Sequence, residues 1–381
     1  MQFFKISISN FIDFYKNLGC DSGGIKILSN KSKLHTLYIK DLHVGAANIL
    51  KQDALSIGAD LAVPTGVVTA KEKYIDAVLI GTSKHLEILS RKELAQPFGL
   101  KVLAKELKSF IKENTFSTKI MGVINANEDS FFKNSRFYGL GAVSKIDEMI
   151  NDGADIIDLG GVSSRPGSIA VSSDEELKRV KPIIDTIYKE KLYEKVKFSL
   201  DSYEPKVLEY ALDKGFSIIN DITGLQNDKV CELAFKYKSK VVIMHMQNNP
   251  LNMQQNPEYD NVILDIDNFF EKRVEKAKSF GVTDIVLDVG IGFGKTLEHN
   301  LLLLKNLNHF EHFGFELLIG ASRKTMINNI VESSIEQRLP GTLAIHLESM
   351  RNGASIIRCH DVKEHFQAIK VQEAIHNIEI L

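Results

Sequence analysis

Along residues 119–362, short runs of β-branched and other apolar residues alternate with longer stretches whose apolar positions recur at helical spacing. Eight such runs occur. The first four are KIMGVINA (119–126), DIIDLGG (155–161), KFSLDSY (197–203) and SIINDITG (217–224). The second four are KVVIMHM (240–246), DIVLDVG (284–290), FELLIGAS (315–322) and SIIRCHDV (355–362). Each has an apolar centre, with polar residues or glycine toward its end. Several stretches between them stop at a glycine suited to a left-handed C-cap, at Gly153, Gly215, Gly281 and Gly353. Eight strand-helix units in roughly 260 residues match the usual size of a parallel (β/α)8 TIM barrel. A doubly wound open sheet shares the periodicity, but the count of eight and the spread of polar strand ends favour closure.

Residues 1–115 follow another pattern and predict a small α/β N-terminal domain, with 116–381 as the barrel domain. Strands are expected at GIKILS (24–29), HTLYIK (35–40), ADLAVP (59–64) and AVLIG (77–81), and a helix over VGAANILKQDALSIG (44–58). A long helical pattern then ends near Ile111, and ENTFST (113–118) reads as the joint. Composition narrows the function classes. With 44% apolar and 25% charged residues and a net charge of −2, the 381-residue chain is globular in composition and has no basic bulk for nucleic acid. Any anion must be held locally. Residues 1–115 carry 16 Lys plus Arg against 11 Asp plus Glu, so the remainder is acidic. Three cysteines without a CxxC pair suggest a reducing compartment, and no leader-like start or long apolar span is evident, so a cytoplasmic address is expected.

Side chains alternate along a strand, so residues two apart share a face. Ser199, Asp201 and Tyr203 therefore align, as do Val123 with Asn125, and Ile356 with Arg358 and His360. One rim would gather Asn125, Asp201, Asn220, Asp288, Lys324, Arg358 and His360. An Asp or Asn closing a strand more often caps the next helix, yet seven such coincidences favour a site. Two carboxylates with an amide suit a flat nitrogen heterocycle, while Lys, Arg and His suit oxyanions. GIGFGKT (290–296) is neither a P-loop, since Val289 stands where a glycine is needed, nor a dinucleotide fingerprint. Its glycines suit a chain that turns close over a ligand or helix end. His309 and His312, three apart, read as an exposed pair rather than metal ligands.

At these residues the chain resembles the dihydropteroate synthases, a folate-pathway family of pterin-binding barrels. MGVINANEDSFF, GADIIDLGGVSSRPGS (153–168), FSLDSY, IINDITG, LDVGIGFGKTLEHN, GASRK and RCHDV stand in family order. The resemblance implies condensation of 6-hydroxymethyl-7,8-dihydropterin diphosphate with 4-aminobenzoate, releasing pyrophosphate. It implies that Asp201, Asn220, Asp288, Gly320 and Lys324 hold the pterin. Asn125, Arg165, Arg358 and His360 would hold the diphosphate, with Mg2+ on Asn125, and Ser164, Pro166, Phe293 and Thr325 would border the aminobenzoate. Asp201, Lys324 and Arg358 would be catalytic. A homodimer is implied, acting on small molecules with no nucleic acid or membrane partner. The first loop departs from the family, with Lys133 in place of an acid, and Val289 replaces a proline after Asp288. Two rivals fit the pterin set: a methyltransferase using methyltetrahydrofolate, and a non-catalytic pterin-binding paralogue.

Overall fold

The computed structural model describes residue 1 and residues 4–112, 116–126, 138–163 and 171–378. It divides into two compact units, Met1–Glu113 with Glu373–Leu381, and Asn114–Gln372.

The first unit contains a three-stranded antiparallel sheet in the order β1 (Leu34–His43), β3 (Tyr74–Thr82), β2 (Asp60–Ala62). In β3 the even alternation places Ile75, Ala77 and Leu79 inward, where they meet Ala46, Ala47, Leu50 and Ala54 of the helix Val44–Ile57. That helix ends at Gly58 in the left-handed conformation (φ 86°). Two expectations fail. GIKILS is not a strand but the middle of the helix Ser22–Ser32, capped by the Asp21 carboxylate on the Gly23 N–H. Six mixed apolar and polar residues carry no decisive period, and the cap upstream decides it. The long helix ending near Ile111 is instead two, Ser83–Lys92 and Leu100–Leu107, separated by Gln96-Pro97-Phe98-Gly99.

The second unit is a closed parallel barrel. Its strands are β4 (Lys119–Asn125), β5 (Ile156–Gly160), β6 (Lys197–Asp201), β7 (Ile218–Asp221), β8 (Lys240–Met244), β9 (Ile285–Asp288), β10 (Glu316–Ile319) and β11 (Ile356–Cys359). Each pairs with its sequence neighbour, and β11 closes on β4 with Arg358 opposite Met121. All eight expected strands are present, and the four expected C-cap glycines have positive φ. At Gly153 (φ 100°) the constraint is also spatial, because a Cβ there would lie 2.3 Å from the ring of Phe366.

Two apolar layers result. Leu159, Leu200, Ile219, Ile243, Leu287 and Ile357 face outward and pack under the helices. Met121, Ile156, Ile218, Val242, Val286, Leu318 and Ile356, one from each strand but β6, form a separate interior cluster. Below it, at the N-terminal end of the strands, Glu316 accepts from Lys119 at 2.5 Å and from Lys240. Above it, two residues further along the same faces, lie the polar residues of the opposite rim.

Candidate active site

Asp158 stands two residues beyond interior Ile156, and Arg358 two beyond interior Ile356, so period-two alternation aims both into the barrel mouth. There they meet. The Arg358 Nε donates to Asp158 Oδ2 at 2.7 Å, and its Nη2 to Asp201 Oδ2 at 2.8 Å. Asn220 completes the group by donating from Nδ2 to Asp158 Oδ2 at 3.1 Å. Because a carboxylate only accepts, that contact fixes which way the Asn220 amide is turned. Asp158 is fully buried, and its second oxygen, Oδ1, has no hydrogen-bond partner among the described residues. Leaving such an acceptor unmet costs about 1–3 kcal/mol, which a donor on a bound ring would recover. Burial pushes the Asp201 carboxyl up to about 7, against the pull of Arg358 and with the charge of Asp158 adding to the rise.

Across the mouth, Asp288 accepts the Gly290 N–H at 2.8 Å, while burial raises its pKa against the opposing charges of Lys324, Lys295 and Arg358. The loop after β9 turns back on itself here. Gly290 (φ 68°) admits no side chain, since a Cβ would sit 1.9 Å from the His245 carbonyl oxygen. Lys295, fully enclosed, donates to the carbonyls of Gly290 and Phe293, both at 3.0 Å, and lies 3.0 Å from His245 Nδ1. Burial lowers its pKa to about 7. The glycines of GIGFGKT thus serve a tight turn wrapped round a lysine, not a phosphate cradle.

Lys324 reaches this loop from the other side. Its Nζ donates to the Ile291 carbonyl and lies 4.5 Å from the Phe293 ring centroid, and burial lowers its pKa to about 8 despite Asp288. The preceding residue sets its direction. Arg323 is left-handed (φ 54°), an unfavourable state for a non-glycine residue, and several bonds hold it there. Its Nε and Nη2 donate to the two oxygens of Asp361 at 2.9 and 2.7 Å, and its N–H donates to Thr342 Oγ1. A buried imidazole chain adds to this. Ala321 N–H donates to His346 Nε2 at 3.0 Å, so that ring carries its proton on Nδ1, 2.8 Å from His365 Nε2. The His365 proton then lies on Nδ1, facing the Asp361 carbonyl oxygen at 2.6 Å. Burial holds both histidines below their ordinary pKa, as neutral partners require.

The remaining expected residues distribute as follows. Asn125 ends β4, and its Oδ1 lies 3.5 Å from where a Gly160 Cβ would be, with the Asp201 Cβ 3.7 Å from the same point. Gly320 leaves open the space beside Arg358, whose Cβ and Cδ would be 3.7 Å from an added Cβ. His360 lies exposed past the end of β11, with Nδ1 2.9 Å from Ser322 Oγ. Thr325 opens the helix Thr325–Ile330 and is exposed. Ser164, Arg165, Pro166 and Lys133 lie outside the described residues. Sequence reasoning missed Asp158, Lys295, and the Arg323–Asp361 and His346–His365 supports. For Asp158 the signal was present: it shares a strand face with Ile156 and Gly160.

The family model described as pterin binding enzyme matches residues 121–360. The bifunctional dihydropteroate synthase/dihydropteroate reductase of Helicobacter pylori is 42% identical over 342 residues, covering 90% of each chain. The dihydropteroate synthase of Escherichia coli is 41% identical over 258 residues, 67% of this chain and 90% of the relative. A solved dihydropteroate synthase of Yersinia pestis, in a sulfonamide drug complex, superposes with a TM-score of 0.64 at 37% identity, covering 69% of this chain and 95% of that one. With the converging rim of Asp158, Asp201, Asn220, Asp288, Lys324 and Arg358 built on this barrel, the chain belongs to the pterin binding enzyme family.

Proposed function

We propose that the barrel catalyses the dihydropteroate synthase reaction, a transferase step joining 4-aminobenzoate to the exocyclic methylene of 6-hydroxymethyl-7,8-dihydropterin diphosphate with loss of pyrophosphate. The observation that carries this is Arg358 bridging Asp158 and Asp201 in the same mouth as Asp288 and Lys324, so ring acceptors and cations serve one ligand. Curated relatives named for this activity support it.

The residues divide the work. Asp201, Asp288 and the free oxygen of Asp158 accept N–H groups of the pterin, and Asn220 faces the ring with its amide direction set. Carboxylates beside the ring stabilise positive charge shared onto it as the C–O bond to diphosphate lengthens. Lys324 reaches the pterin's carbonyl edge, and the flat strip at Gly320 admits the ring plane. Arg358, His360, Asn125 and Arg165 hold the departing diphosphate. Phe293, Thr325, Ser164 and Pro166 border the aminobenzoate, whose amine is neutral near pH 7 and attacks the methylene carbon once held in line. Asn125 offers one hard oxygen, which fits Mg2+, an ion that takes most of its ligands from phosphate oxygens and water. When bound, the ion would supply charge neutralisation to the leaving group. A homodimer in the cytoplasm is part of this reading. Among the described residues no helix is long and apolar enough to cross a membrane.

The test is pyrophosphate release by the purified chain supplied with pterin diphosphate, 4-aminobenzoate and Mg2+. Tight pterin binding without release would instead support the non-catalytic reading, and methyl loss from methyltetrahydrofolate the methyltransferase. A second activity has its own support: the 342-residue alignment with the Helicobacter pylori protein is longer than the whole barrel unit, so it includes part of the first unit. Reduction of the dihydropteroate product is the activity that relative's name adds. Incubating the full chain with dihydropteroate and a reduced nicotinamide or flavin, then weighing the product, decides it; a mass unchanged by two hydrogens rules it out.

A further inference from the structure

Away from the barrel mouth, three side chains with metal-ligating atoms converge on the outer layer of the barrel. Asp267 lies on the helix Val262–Ser279, and His309 and His312 on the 3₁₀ helix Leu307–Phe313. A 3₁₀ helix has three residues per turn, so side chains three apart stand directly over one another. Both imidazoles therefore reach the same partner. His309 Nε2 lies 3.0 Å and His312 Nε2 2.6 Å from one oxygen of Asp267, and the three donor atoms all lie within 4.8 Å of one another. Contrary to the sequence expectation, the pair is not exposed: the side chains of all three residues are between 16% and 24% accessible.

We infer that Asp267, His309 and His312 form a binding site for a divalent transition metal ion, Zn2+ by ligand type, completed by water. Two imidazoles and one carboxylate are the donor set of three-ligand zinc sites, and hard cations such as Mg2+ disfavour it. The geometry is close to what is required. A tetrahedral ion with bonds of about 2.0–2.1 Å separates its donors by roughly 3.3 Å, so shifts under about 1 Å bring all three into place. The two ring planes are inclined by 61°, which lets their nitrogens converge on a point without the rings stacking. The frame beneath is rigid. Phe270, one turn from Asp267, packs edge-on against Phe310 at 5.6 Å and Phe313 at 6.0 Å, and Phe270 and Phe310 are fully buried. A site on packed elements is held in position before the ion arrives. Bound there, the ion links the helix after β8 to the turn before β10.

The site is tested on the full chain, freed of metal by chelator and titrated with Co2+, whose visible d–d bands report four-coordinate binding, then with Zn2+ in competition. The parent protein is expected to develop those bands and to lose them as Zn2+ displaces Co2+. Asp267→Asn and His312→Gln, which retain hydrogen-bonding shape and so the fold, should weaken Co2+ binding at least about tenfold. Pyrophosphate release by the same variants is expected to stay at the parent level. Folded parent protein that gives no visible bands, or bands equally strong in both variants, overturns the proposal and leaves a hydrogen-bonded His–Asp–His cluster.

Discussion

The two ends of the barrel carry the same motif with the charges exchanged. At the N-terminal end one anion, Glu316, sits between two cations, Lys119 and Lys240; at the C-terminal end one cation, Arg358, sits between two anions, Asp158 and Asp201. Their electrostatic outcomes are opposite. Burial alone would raise Glu316, but hydrogen bonds from the two lysines hold its pKa below the ordinary value. Burial does raise Asp201, and Arg358 does not cancel it. The difference lies in the ratio of cations to carboxylates at each end. At the N-terminal end two lysines, with side chains 33% and 21% accessible, share one carboxylate, whereas at the rim one arginine, 23% accessible, serves two carboxylates that are 0% and 12% accessible. Neutralised charge stabilises a fold, and a buried surplus of acceptors waits for a ligand's donors. Stability and catalysis are expected at these respective faces of such a barrel.

Substitutions at each end separate the two roles. The largest effect is expected from Arg358→Met, which should lower pyrophosphate release by about 10²–10³-fold, as loss of one key charge-stabilising donor does. An activity close to the parent's would contradict the assignment of the rim. Glu316→Gln should lower the free energy of unfolding in urea by about 2–3 kcal/mol, below the usual cost of breaking a fully buried pair because the stranded lysines reach water. Turnover should stay near the parent's; a large loss would erase the distinction between the ends.

His346→Phe leaves the Ala321 N–H without its acceptor, at a cost of about 1–2 kcal/mol. Because that amide lies in the loop that aims Lys324, the KM for the pterin diphosphate should rise more than kcat falls; a stability loss with unchanged KM would make the imidazole chain purely structural.

The smallest effect is on the pH dependence of stability. Asp201, raised to about 7, binds a proton in the folded state that the unfolded chain has released, so stability falls as pH rises from about 4 to about 7. Glu316, with a lowered pKa, contributes stability present above about pH 4.5 and lost as pH falls below it. Asp201→Asn should therefore flatten the urea midpoint between about pH 5 and about pH 7. The slope should shrink without vanishing, because buried Glu176, also raised to about 7, acts in the same direction. An unchanged slope would mean that Asp201 keeps an ordinary pKa.

Much of the rim could be read along the chain because strand geometry repeats every two residues. Once Ile356 is interior, Arg358 must be, and the same rule orders Ser199 with Asp201. The same rule extends to Asp158, two beyond Ile156, but the sequence reading missed it because a lone aspartate in the middle of an apolar strand shows no purpose until its partner Arg358 is known. GIKILS shows the converse limit: six apolar and polar residues fit either period, and an aspartate outside the run made it helix. For His309 and His312 the spacing was visible, but the carboxylate that joins them is on another helix.

Local periodicity and turn chemistry, being properties of adjacent residues, determined the eight strands, the glycine stops and the direction in which each polar side chain leaves its strand. Closure of the sheet decided the rest. Arg358 and Asp158 are 200 positions apart, and only a barrel whose last strand pairs with its first brings them within 2.7 Å. Burial and the pairing of charges, which raise Asp201, lower Glu316 and fix the histidine tautomers, depend on distances across the interior, and no run of neighbouring residues encodes them.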